Sequence, residues 1–98
     1  MTIDEVMEIL SKQSTIFRSV YSVTGMGIFG SCVKGTLKKR SDIDVLVSFE
    51  QGRKDLFNYM RLKMHLEELL GRKVDLVIKE AVKTRIRDRI LSEVRYVQ

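Results

Sequence analysis

Two short apolar runs, DIDVLVSF at 42–49 and KVDLVIK at 73–79, constrain this chain more than any other feature. The roughly 24 residues between them carry a full helical pattern, which is what a right-handed crossover between parallel strands requires. That helix is read from Asp55 to Leu70, apolar at Leu56, Tyr59, Leu62, Leu66 and Leu69, with Gly71 as its C-terminal stop. Parallel pairing brings the starts of both strands to one edge of the sheet. Asp42 and Asp44, at the start of the first run, and Asp75, near the start of the second, are therefore expected together.

The rest of the chain reads as further alternation of helices and strands. Thr2-Ile3-Asp4-Glu5 has the form of a capping box, and Ile3, Val6, Leu10 and Phe17 mark one helical face as far as about residue 19. A glycine-weakened strand is expected from Val23 to Phe29, ending in a turn at Gly30-Ser31, with a brief helical turn or loop closed by Gly35. Val82, Ile86, Ile90 and Val94 predict a last amphipathic helix whose stripe faces the core. With 98 residues and 44% hydrophobic side chains, the chain is expected to be one domain over 1–98, built around one core. The fold class is α/β, a small mixed sheet flanked by helices.

The glycines pose a choice. Gly25, Gly27 and Gly30 spell the dinucleotide fingerprint, but Ile28 and Phe29 lie inside the pattern, so the strand runs through it where it should have ended. The interval after Gly30 has no room for the helix that would present its N-terminus to a pyrophosphate, and the acids precede the next apolar run where they should follow it. A bare fingerprint without its context carries little weight. No Gly-Lys-Ser/Thr occurs, so the Walker pattern fails too.

A different reading uses the same residues. Alternate residues of a strand point to one face, so Asp42 and Asp44 project side by side and repel. A cation relieves that, and hard oxygen ligands of this kind suit Mg²⁺ held together with substrate phosphates. If the first strand runs antiparallel to the second, the Gly30-Ser31 turn falls at the same end. That edge then collects three carboxylates, a turn with free amides, and the cations Lys34, Lys38, Lys39 and Arg40.

GSCVKGTLKKRSDIDVLV, with glycine-serine, a fixed interval and then aspartate-x-aspartate, resembles the signature of the polymerase-beta-type nucleotidyltransferase superfamily in its smallest form, the minimal nucleotidyltransferases that include MntA-type antitoxins. The likeness continues through VDLVIKEAVKTRIRDRILSEVRYV, the third strand and closing helix, so that it spans effectively the whole chain. The resemblance implies that Asp42, Asp44 and Asp75 are the catalytic and metal-binding carboxylates, for two Mg²⁺ ions with ATP as substrate. Asp75 would also help to deprotonate the acceptor. Gly30 and Ser31 would hold the β- and γ-phosphates, with Lys34 and Arg40 as further nucleotide-binding residues. An arginine is common where Lys34 stands; lysine meets phosphate as a point charge and lacks the bidentate fork. The resemblance further implies transfer of AMP to a hydroxyl acceptor, a tyrosine of a HEPN-domain toxin partner. A non-catalytic binding antitoxin and a freestanding enzyme acting on a small molecule or RNA remain the alternatives.

Other residues are read conservatively. Ser31 lacks a partnering histidine and is a phosphate contact or turn residue in preference to a covalent nucleophile. Cys32 is expected to be a small packed residue, His65 a surface or packing residue, and the cations from Lys79 to Arg89 a solvated helix face. The net charge of +5 suggests an anionic partner, which could be nucleic acid, a nucleotide triphosphate or an acidic protein face, and charge alone does not choose among them; direct nucleic-acid binding is not expected. One cysteine, no secretory leader pattern and no membrane-length apolar run point to the cytoplasm and to no membrane partner.

Overall fold

The expected capping box opens the chain. In the computed structural model, which describes residues 1–52 and 55–98, the Thr2 hydroxyl accepts from the Glu5 amide at 3.2 Å and the Glu5 carboxylate accepts from the Thr2 amide at 3.2 Å. The helix that follows is shorter than its periodicity implies. Helix α1 (Ile3–Ser11) stops at Lys12, and α2 (Ser14–Tyr21) begins after Gln13. Ser11, Lys12, Gln13 and Ser14 offer no apolar group to the core, and serine side chains compete for backbone bonds, so nothing keeps the helix continuous there. Val6 and Leu10 of α1 and Phe17 and Tyr21 of α2 still share one core.

Strand β1 (Val23–Phe29), the one-turn helix α3 (Ser31–Lys34), β2 (Ile43–Phe49), α4 (Leu56–Leu70), β3 (Val74–Ile78), α5 (Thr84–Glu93) and β4 (Arg95–Tyr96) complete the chain, with a 3-10 turn at 79–81. The sheet order is β3-β2-β1-β4. Strands β2 and β3 are parallel, and β1 runs antiparallel to β2 and β4. This is the mixed sheet that the crossover requires, plus a two-residue edge strand that the sequence pattern does not announce.

Alternation along the strands divides the core in two. Met26 and Ile28 of β1, Ile43, Val45 and Val47 of β2 and Val74 and Leu76 of β3 pack beneath α1, α2 and α4. Phe29, Leu46 and Val77 lie on the opposite face, where Ile90 of α5 covers them with Val82, Leu91 and Val94. By the same period-two parity, Asp44 and Asp75 belong to the face of Leu46 and Val77.

Two helices differ from their expected stripes. On α4, Leu56 is 70% exposed, while Leu62, Leu66 and Leu70 are buried. The buried residue of its first turn is Asn58, whose side-chain amide donates to the Tyr21 carbonyl at 2.7 Å. Of Val82, Ile86, Ile90 and Val94, only Ile86 and Ile90 belong to α5, so the four form no single stripe, and Ile86 is 51% exposed. Of the surface and packing roles open to His65, the structure shows packing: its Nδ1 lies 2.7 Å from the Tyr21 hydroxyl, and its ring meets Phe17 edge-on. Cys32 is buried.

Candidate active site

The site is built where three strands meet at one end. Phe29 pairs with Asp44 across the antiparallel ladder, and Asp44 pairs with Asp75 across the parallel one. One residue past Phe29 the chain turns at Gly30, so the turn, Asp44 and Asp75 share an edge. Two bonds from α4 fix the outer strand: the Glu67 carboxylate accepts from the Val74 amide at 2.9 Å, and the Tyr59 hydroxyl donates to the Leu76 carbonyl at 2.6 Å. These bracket Asp75. Asp42 stands one residue ahead of β2 and is exposed.

Gly30 has a specific reason to be glycine. Its backbone lies at φ 72° and ψ −147°, a region essentially closed to residues with a Cβ. A Cβ there would also strike Asp44 Oδ2 and come within 3.0 Å of Asp44 Cγ. The glycine of the glycine-serine pair thus makes room for the second aspartate of the aspartate-x-aspartate pair, and the two ends of the motif are in contact.

The electrostatics of Asp44 follow from this crowding. Burial, reinforced by the Asp75 carboxylate within hydrogen-bonding reach and by the charges of Asp42 and Glu93, pushes the Asp44 carboxyl up from 3.8 to about 6. Three carboxylates therefore act on Asp44. Among the described residues no three His, Cys, Asp or Glu side chains stand close enough to hold a metal ion by themselves. The donor set nevertheless fits Mg²⁺, which is bound by one or two carboxylates and completes its shell with water and substrate phosphates.

The cations divide into two groups. Lys34, at the end of α3, lies on the turn side and pairs with Glu93 at 3.5 Å. Arg40 lies on the other side, in a cleft of about 440 Å³ lined also by Lys39, Ser41, Asp42, Arg72 and Lys73. Ser31 begins α3, where the first amides have no intrahelical acceptor.

Two residues with a place in this region carry no signal in the sequence. Arg72 Nη1 donates to the carbonyls of Lys38 at 2.9 Å and Ser41 at 3.1 Å, tying down the loop that leads into Asp42. Glu93 Oε1 accepts from the Gly30 amide at 3.1 Å. Arg72 looks like one more cation after a helix stop, and Glu93 like one more polar residue of a basic helix; only their tertiary partners distinguish them. Burial pushes the Cys32 thiol up, away from the nucleophilic thiolate.

Comparison with known proteins agrees with this geometry. The nucleotidyltransferase domain family matches residues 10–97. A relative from Thermococcus cleftensis, the protein adenylyltransferase MntA, is 40% identical over 97 residues, which are 99% of this chain and 97% of its own. A solved structure described as a minimal nucleotidyltransferase superposes with a TM-score of 0.81 at 33% identity, covering 97% of this chain and 95% of that one. The fold alone is shared with an MNT antitoxin bound to a tri-AMPylated HEPN toxin from Shewanella oneidensis, at TM-score 0.67 and 17% identity, covering 94% of this chain and 71% of that one. A glycine turn wrapped around the carboxylate pair, on a sheet that superposes on a minimal nucleotidyltransferase, places this chain in the nucleotidyltransferase domain family, among its minimal MntA-type members.

Proposed function

We propose that this chain transfers AMP from ATP to a tyrosine hydroxyl of a HEPN-domain partner in the cytoplasm, and so acts as an antitoxin. The observation that carries the reading is the packing of the Gly30 turn against Asp44, whose carboxyl lies within hydrogen-bonding reach of Asp75. Asp44 and Asp75, with Asp42 beside them, would hold Mg²⁺, which supplies charge neutralisation to the triphosphate when bound. Ser31 and Lys34 receive the β- and γ-phosphates, Gly30 leaves the space that the Asp44 carboxylate occupies beside the turn, and Arg40 adds positive charge beside Asp42. The acceptor oxygen attacks the α-phosphorus, the bond to the pyrophosphate oxygen breaks, and the hydroxyl proton passes to the Asp75 carboxylate. The protein forms no covalent bond to the nucleotide. Support for a protein acceptor comes from the Thermococcus relative's name and from the tri-AMPylated toxin in the Shewanella complex.

The test is direct. The chain is incubated with ATP, Mg²⁺ and a co-expressed HEPN-domain protein, and the partner's tyrosines are examined by mass spectrometry. An AMP adduct is expected with the parental chain. Asp75→Asn should still bind ATP while transfer slows by on the order of 10²-fold or more, the scale for losing a positioned base. A partner neutralised without any adduct would instead establish inhibition by contact.

A further inference from the structure

Gly30 and Lys34 are both held by one side chain that no part of the glycine-serine or aspartate-x-aspartate motif contains. Glu93 accepts from the Gly30 amide through Oε1 at 3.1 Å and pairs with Lys34 Nζ through Oε2 at 3.5 Å. Its side chain is only 23% exposed, against 53% for that of Lys34, so the carboxylate is the fixed member of the pair.

The segment that carries Glu93 is anchored on both sides. Three residues before it, Ile90 is buried against Phe29 and Leu46. Immediately after it, Val94 packs so closely on β1 that a Cβ at Gly27 would meet Val94 Cγ2 at 2.6 Å. Arg95 and Tyr96 then pair with Ile28 and Gly27, and the Val97 amide donates to the Met26 carbonyl at 2.8 Å. The end of α5 is thereby stitched to the strand that ends one residue before Gly30.

We infer that Glu93 is a positioning residue of the nucleotide site, which holds the Gly30 turn in its rare backbone conformation and keeps the Lys34 ammonium aimed at the triphosphate. The inference rests on the reading of Gly30 to Lys34 as the phosphate seat. A lysine on a flexible stem is a poor phosphate ligand until something limits where its charge lies. Glu93 does that through its ion pair with Lys34, and its anchored backbone argues that it stays in place when nucleotide enters. The Gly30 amide is consequently not a phosphate donor. Glu93 touches neither reacting atom, so its effect falls on binding of the polyphosphate and spares the chemical step.

The test compares Glu93→Ala and Glu93→Gln in the full chain by calorimetry with Mg²⁺-ATP and with AMP, by transfer kinetics, and by thermal unfolding. Glu93→Ala should weaken ATP on the order of tenfold and raise its KM to match, with kcat and AMP affinity little changed, the pattern of lost uniform binding. Glu93→Gln, whose side-chain oxygen still accepts from the Gly30 amide, should melt like the parent and lose less ATP affinity. Should the alanine variant not fold, the glutamine variant decides by itself, since parental ATP affinity in it overturns the inference. So does tighter ATP binding in either variant, which would make Glu93 a competitor for the phosphates' place, or equal losses for ATP and AMP. A parental chain that binds no Mg²⁺-ATP defeats the proposed function and this inference with it. Parental binding with unaffected variants defeats the inference alone.

Discussion

At the scale of single residues, Gly30 and Asp44 explain each other. Gly35 closes the same short helix and also has a positive φ, 74°, but a Cβ there meets nothing within 4 Å. The two glycines therefore separate backbone strain from collision. Gly35→Ala should cost about 1–2 kcal/mol, the usual penalty for a left-handed alanine, and leave Mg²⁺-ATP affinity alone. Gly30→Ala should cost more and also abolish tight Mg²⁺-ATP binding, because the new methyl displaces the Asp44 carboxylate. Urea unfolding and calorimetry on the same two proteins check both statements; equal destabilisation would mean that Asp44 moves aside freely. The sequence motif pairs these residues by spacing, and their contact supplies the physical reason for the pairing.

Among the elements, the strands and the long helix were legible because each repeats a burial pattern over several residues. The crossover between β2 and β3 required parallel pairing, and with β1 antiparallel the three functional segments meet as expected. Strand β4 was not legible: two exposed residues, Arg95 and Tyr96, carry no period. The break between α1 and α2 was hidden for the opposite reason, since the apolar spacing across it still fits a continuous helix. The role of Gly27 likewise appears only once β4 lies beside it. Gly27→Val should push away Val94 and the Arg95 backbone, undock β4 and speed amide exchange at Val97. ATP affinity should fall with it, since Glu93 rides on the same segment. Unchanged exchange at Val97 in this variant would show that β4 docks without the space that glycine leaves.

For the molecule as a whole, the acidic edge makes the fold pH-dependent. The Asp44 carboxyl is raised from 3.8 to about 6 in the folded protein, so between these values the native state holds a proton that the unfolded chain releases. Its contribution to stability is thus fully present below pH 3.8 and is lost as pH rises towards 6. Without metal, Asp44→Asn should become progressively more stable relative to the parent across that interval, and hold its advantage above it. Mg²⁺ with ATP should narrow the gap by binding the ionised parental site, and chelation should reopen it. Denaturant midpoints at a series of pH values, with EDTA and with Mg²⁺-ATP, read this directly. A constant difference between the two proteins would show that Asp44 does not titrate in this range. No helix among the described residues is long and apolar enough to cross a membrane.

What the sequence determined by itself is periodic or local: the alternation that buries β2 and β3, the cap that starts α1, the crossover length that makes two strands parallel, and the motif whose spacing identifies the family. Each depends on residues within one turn, one strand or one connection, so a linear reading reaches it. What only the tertiary structure decided depends on partners far apart in the chain. Glu93 against Gly30 and Lys34, Arg72 against the loop before Asp42, and Val94 against Gly27 join segments whose mutual approach no local pattern specifies. A lone glutamate or arginine has the same composition and the same helical period wherever its side chain ends up. Its role is set by which backbone amide, carbonyl or charge the packed sheet brings within about 3 Å of it, the range over which a hydrogen bond exists at all.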